Sequence, residues 1–83
     1  MTLRTVESQL YAGEHRVLRG WESFTGWYWF GVEEVEPDYW FGLIQGHEEE
    51  WGYFDVNDIK ALGNMAWPIK ECDLPYAGRR SGR

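Results

Sequence analysis

Cysteine, central cations and long apolar runs are all scarce in this 83-residue chain. The single cysteine, Cys72, excludes an intramolecular disulfide. A domain of this size buries only roughly 60% of the surface its unfolded chain exposes, and here it must do so without covalent staples. No apolar stretch approaches the roughly 18 residues that a membrane-spanning helix needs. The start, Met1-Thr2-Leu3-Arg4-Thr5, lacks a basic region followed by an apolar run, so the expected compartment is a reducing cytoplasm. No repeat or linker divides the sequence. The expectation is one domain over residues 1–77 and a flexible basic tail, Gly78-Arg79-Arg80-Ser81-Gly82-Arg83, with no apolar anchor.

The missing cations matter most. Between Gly20 and Ile59 there are ten acids and no Lys or Arg: Glu22, Glu33, Glu34, Glu36, Asp38, Glu48, Glu49, Glu50, Asp55 and Asp58. The rest of the chain carries eight bases against four acids, so a centre of −10 is flanked by ends that together carry +4. Direct binding of nucleic acid requires a basic footprint, which this distribution lacks. It suits a partner that is itself basic.

Aromatic residues are abundant, at 18% of the chain. Each buries about 150–250 Å², which lets a small core be compact. Leu3, Val6 and Leu10 fall on one helical stripe, predicting an amphipathic helix over residues 3–11. Residues 15–21 alternate loosely as a strand. The runs 26–33, 38–45 and 50–54 are aromatic and β-prone, and the short polar loops between them carry Pro or Gly, which predicts antiparallel hairpins. One glycine recurs in each (Gly31, Gly42, Gly52), the mark of a bulge or of a bulky neighbour lying across the backbone. Asp55 as N-cap, Asp58 in the first turn and Gly63 as stop predict a helix over 55–63 that docks Val56, Ile59 and Leu62 onto the sheet. Pro68 keeps Trp67 extended. The expected fold class is therefore α+β: a short antiparallel meander of three to four strands, an N-terminal helix, and a short helix after the last hairpin strand.

Trp40-Phe41-Gly42-Leu43, Trp51-Gly52-Tyr53-Phe54, the capped helix and Trp67-Pro68-Ile69-Lys70-Glu71 together resemble a bacterial family known as domain of unknown function 2958. Members share an aromatic strand, a Phe-Gly-Leu segment, a Gly-Tyr-Phe segment, a short helix and a closing Pro-Ile or Pro-Val stretch, in that order. The likeness runs roughly from Trp27 to Leu74; the N-terminal part matches only in general character. It implies a setting on plasmids, phages or other mobile elements, and it implies no activity.

The candidate chemistry is sparse. His15 and His47 have no nucleophile beside them, and His47-Glu48-Glu49-Glu50 lacks the paired helical histidines of a zinc protease. That segment reads as a solvated turn. Glu71 and Asp73 beside Cys72 disfavour a thiolate nucleophile. The glycines are scattered and form no phosphate loop. The expectation is thus no enzyme, no cofactor and no metal. Two acidic clusters, Glu33, Glu34, Glu36 and Asp38, then Glu48, Glu49 and Glu50, flank successive turns and should lie at opposite ends of the meander. A seven-residue strand between them spans about 23 Å at roughly 3.3 Å per residue. Carboxylates so placed either imitate phosphates on two sides of a groove or serve solubility. Trp27 and Trp29 should share one strand face, and Tyr28 and Phe30 the other.

The candidate partner-binding residues are therefore Glu33, Glu34, Glu36, Asp38, Glu48, Glu49, Glu50, Asp55, Asp58, Trp27 and Trp29. The leading reading is an acidic, non-catalytic inhibitor of phage or mobile-element type, related in mode to anti-CRISPR and antirestriction DNA mimics. It would dock on a basic nucleic-acid-binding protein or complex, with no membrane or direct nucleic-acid contact. The other reading is an accessory module that associates through an aromatic sheet face, as a weak homodimer among other arrangements.

Overall fold

The computed structural model describes residues 2–80. Its elements in chain order are β1 (Leu3–Val6), β2 (Gln9–Ala12), β3 (His15–Arg16), β4 (Arg19–Ser23), β5 (Tyr28–Glu36), β6 (Tyr39–Gln45), β7 (Glu49–Asp55), the short helix α1 (Val56–Lys60), a 3-10 turn at Gly63–Met65, β8 (Ala66–Pro68) and a second 3-10 turn at Leu74–Tyr76. The strands form two antiparallel sheets, one of order β1-β2-β3 and one of order β7-β6-β5-β4-β8.

The architecture is mostly β, which overturns the α+β expectation with its N-terminal helix. Residues 3–12 are a hairpin. Leu3 pairs with Ala12 and Val6 with Gln9, leaving Glu7 and Ser8 as a two-residue loop. Both loop residues have positive φ, 53° and 67°, as a type I′ turn demands. The usual Asn or Gly is missing there, so the turn was hidden, and Leu3 and Leu10 fell on a helical stripe by coincidence. The actual pattern is strand alternation: Leu3, Leu10 and Ala12 are buried, whereas Val6, the middle of that stripe, is exposed. Burial of Leu3 and Leu10 contributes about 1.5–3 kcal/mol each.

The three central hairpin strands are present as β5, β6 and β7, paired in register from Tyr28↔Gln45 and Gln45↔Glu49 outward. Asp55 caps α1 by accepting from the Asn57 amide at 2.8 Å, and Val56 and Ile59 are buried. The helix is shorter than expected, ending at a C-cap on Ala61, and Leu62 is 45% exposed instead of docked. From β7 the chain crosses one sheet face through α1 to reach β8 at the opposite edge, beside β4.

Each face of the five-stranded sheet carries its own core. On one, Phe30 and Leu43 pack with Leu3, Leu10 and Ala12 of the N-terminal sheet, with Val17 of the segment that follows it, and with Leu74. On the other, Trp21, Trp40 and Phe54 pack with Val56 and Ile59 of α1. Trp21 meets Trp40 and Phe54 edge-on at 5.7 and 5.6 Å, the favoured aromatic geometry. Gly31, Gly42 and Gly52 are register partners and form a row across three strands. A Cβ at Gly31 would enter the Trp40 ring, and one at Gly42 would enter the Phe30 backbone, so the first two of these glycines make the room the aromatic core occupies.

Gly78, Arg79 and Arg80, assigned to the tail by sequence, are tied to the body. Buried Gln45 accepts from the Arg79 amide at 2.7 Å and donates to the Arg79 carbonyl at 2.7 Å. The Arg79 guanidinium donates to the Gly46 carbonyl, and that of Arg80 donates to the Pro75 carbonyl at 2.9 Å. Residues 81–83 of the expected tail lie outside the described residues.

An acid-rimmed aromatic groove and two acidic sheet ends

The β5–β6 and β6–β7 turns fall at opposite ends of β6 because antiparallel neighbours reverse direction. At one end Glu33, Glu34 and Glu36 occupy the outer part of β5, all exposed, where register shifts break the regular ladder. Asp38 sits in the Pro37–Asp38 turn with φ 64°, and its amide donates to Glu34 Oε2 at 3.0 Å. The Asp38 carbonyl accepts from the Val56 amide at 2.8 Å, which brings the start of α1, with Asp55 and Asp58, to this same end. At the other end are Glu48, Glu49 and Glu50, all exposed. Glu49 differs from its neighbours, because its carboxylate accepts from the buried Gln45 amide at 2.9 Å.

Trp27 and Trp29 do share a face, with ring centroids 5.9 Å apart and planes inclined by 33°. Tyr28 and Phe30 stack at 5.8 Å on the other. Both indoles are half-buried. Trp27 is held from behind: a Cβ at Gly46 would enter its ring, and His47 meets it edge-on at 5.6 Å.

The indole pair separates two adjoining hollows. One, of about 250 Å³, is bounded by Phe24, Leu62 and Met65. The other, of about 300 Å³, is bounded by Ile44 and Ile59 and carries Glu50, Asp55 and Asp58. The fold thus gathers five of the sequence candidates, Trp27, Trp29, Glu50, Asp55 and Asp58, into one groove. It does not bring Glu33, Glu34, Glu36, Asp38, Glu48 or Glu49 to that groove.

A second aromatic surface escaped the sequence reading. Tyr39 stacks on Tyr53 at 5.7 Å, Tyr53 meets Phe41 at 5.0 Å, Phe41 stacks on Trp51 at 5.8 Å, and Trp51 meets His15 edge-on at 5.8 Å. The strip follows neighbouring strands β6 and β7, and Tyr39, Trp51 and Tyr53 are exposed. Glu33 is the β5 partner of Phe41, and Glu36 that of Tyr39. The signal was legible in principle, since Tyr39-x-Phe41 and Trp51-x-Tyr53 repeat at the strand period of two. What covers each face was not.

Among the described residues no group of three or more His, Cys, Asp or Glu gathers to hold a metal ion, and no helix is long and apolar enough to cross a membrane. Cys72 is exposed. No family model, curated protein or solved structure matches this chain.

Proposed function

We propose that this chain is a non-catalytic binding protein of the bacterial cytoplasm whose carboxylates dock on the nucleic-acid-binding surface of a basic protein or complex. The mode is that of anti-CRISPR and antirestriction inhibitors that imitate DNA, in keeping with the resemblance to mobile-element proteins of domain of unknown function 2958. One observation carries the reading: seven of the nine candidate carboxylates are exposed and stand at both ends of a single sheet. The seven residues of β6 between those ends span about 23 Å at roughly 3.3 Å per residue. Carboxylates at that spacing take the place of phosphates in the Lys- and Arg-lined groove that otherwise holds them. Long-range attraction speeds association, and neighbouring aromatic rings slow release.

The test is capture of basic nucleic-acid-binding proteins from bacterial lysate at low and high salt, with duplex DNA as competitor. Capture should fail at high salt and in the presence of DNA. The triple variant Glu33→Lys, Glu36→Lys, Glu48→Lys should lose it as well, while its stability stays within about 0.5 kcal/mol of the parent, as is usual for exposed positions. Glu34 and Glu49 are left in place because their carboxylates hold the Asp38 amide and the Gln45 side chain. Capture indifferent to salt, DNA and the triple variant would sink the proposal.

The exposed rings of Tyr39, Trp51 and Tyr53, with half-buried Phe41 between them, support a second reading, association through an aromatic sheet face, including self-association. Its signature is a mass in solution that rises with protein concentration and ignores salt.

A further inference from the structure

We infer that the groove divided by Trp27 and Trp29 recognises a peptide segment of a partner protein, one that places an Arg or Lys side chain next to a large apolar one. The inference takes from the proposed function only that the partner is basic; it does not need that partner to bind nucleic acid.

The volumes set the class of guest. Hollows of about 250 and 300 Å³ lie at or below the lower end of the roughly 300–1,000 Å³ usual for cofactors and drug-sized ligands. Each therefore suits a side chain, and their shared indole wall suits two side chains of one segment. The two ends differ in chemistry. Phe24, Leu62 and Met65 are 64%, 45% and 48% exposed, so the first hollow offers apolar surface that the fold leaves uncovered. Leu62 belongs to the segment whose helical pattern aims it at the sheet, yet it borders this hollow instead. In the second hollow Glu50, Asp55 and Asp58 supply negative charge beside the indole rings.

Charge complementarity selects the cation. No Lys or Arg is among the described residues lining either hollow, so a guest guanidinium or ammonium meets no internal competitor. An indole face attracts such a cation through its quadrupole, and a carboxylate alongside adds direct attraction. Backed by Gly46 and His47, Trp27 is held in place before the guest arrives, which lowers the ordering cost of binding.

The experiment titrates the full chain with the peptide acetyl-Leu-Gly-Arg-Gly-Leu-amide, followed by NMR on the tryptophan indole N–H and methionine methyl signals. Leucine on both sides of the arginine makes the probe usable in either chain direction. Saturable shifts should centre on Trp27, Trp29 and Met65. Peptides with Glu for Arg, or with Ser for both Leu, should bind roughly tenfold more weakly or worse. Asp58→Lys, at an exposed position, should weaken the arginine peptide roughly tenfold. Gly46→Ala, which displaces Trp27, should do the same, and if that variant does not fold Asp58→Lys still decides the matter. The triple variant Glu33→Lys, Glu36→Lys, Glu48→Lys should bind this peptide like the parent, which separates failure of the groove from failure of the DNA-mimic reading. The inference is overturned by the absence of saturable shifts up to about 10 mM peptide, by equal binding of the Arg and Glu peptides, or by indole shifts centred on Trp51, which stacks on Phe41 away from both hollows.

Discussion

Gln45 shows how a single residue can join distant parts of a small chain. It is 2% exposed, yet its amide group is fully used, with Glu49 on one side and both backbone groups of Arg79 on the other. A buried amide that lost these partners would be costly, and so would the Arg79 backbone left behind. Gln45→Leu should therefore lower stability by about 1–3 kcal/mol in urea unfolding and speed hydrogen exchange at the Arg79 amide. Unchanged exchange there would mean the C-terminal segment is held by something else. Nothing in the local sequence distinguishes Gln45 from a solvent-facing strand glutamine, because the partner that buries it comes from 34 residues away.

Among the elements, the N-terminal hairpin is where local preference and tertiary structure disagree. Glu7 and Ser8 occupy left-handed backbone conformations, which cost residues with a Cβ roughly 1–2 kcal/mol apiece. The hairpin forms regardless, because its alternate residues Leu3, Leu10 and Ala12 cover Phe30 and Leu43. Replacing the turn with the pair that suits it, Glu7→Asn with Ser8→Gly, should raise stability by about 1 kcal/mol or more in the same unfolding experiment. A loss of stability would show that the parent side chains contribute contacts that outweigh the turn strain. Helix α1 is the opposite case. Its cap at Asp55 and its buried Val56 and Ile59 were readable from sequence. Its early end was not, and that end leaves Leu62 to the groove.

For the molecule as a whole, the uneven charge distribution should act on stability as well as on partners. With ten acids and no Lys or Arg between Gly20 and Ile59, the native state brings like charges together at both ends of one sheet. Salt shortens the range of that repulsion from about 30 Å at 0.01 M to about 10 Å at 0.1 M. The melting temperature should therefore rise as sodium chloride is increased from about 0.01 to about 0.5 M, by scanning calorimetry. A fall would instead mean that attraction between the acidic centre and the basic ends is the larger effect.

The sequence by itself determined whatever depends on neighbours along the chain. It placed the β5–β6–β7 hairpins through alternation and polar turns, the cap of α1 through Asp55, and the split of Trp27 and Trp29 from Tyr28 and Phe30 through the strand period. The close approach at Gly31 and Gly42 was also foreseeable, because three aromatic strands each carried one residue without a side chain. The tertiary structure alone decided what covers each sheet face. The N-terminal sheet shields Phe30 and Leu43, α1 shields Phe54 on the reverse, and neither reaches across the whole surface. What remains uncovered is the groove of Trp27 and Trp29 and the strip of Tyr39, Phe41, Trp51 and Tyr53. Exposure of this kind is set by which distant segment packs where, so the same aromatic residues read alike in sequence whether they build a core or face a partner.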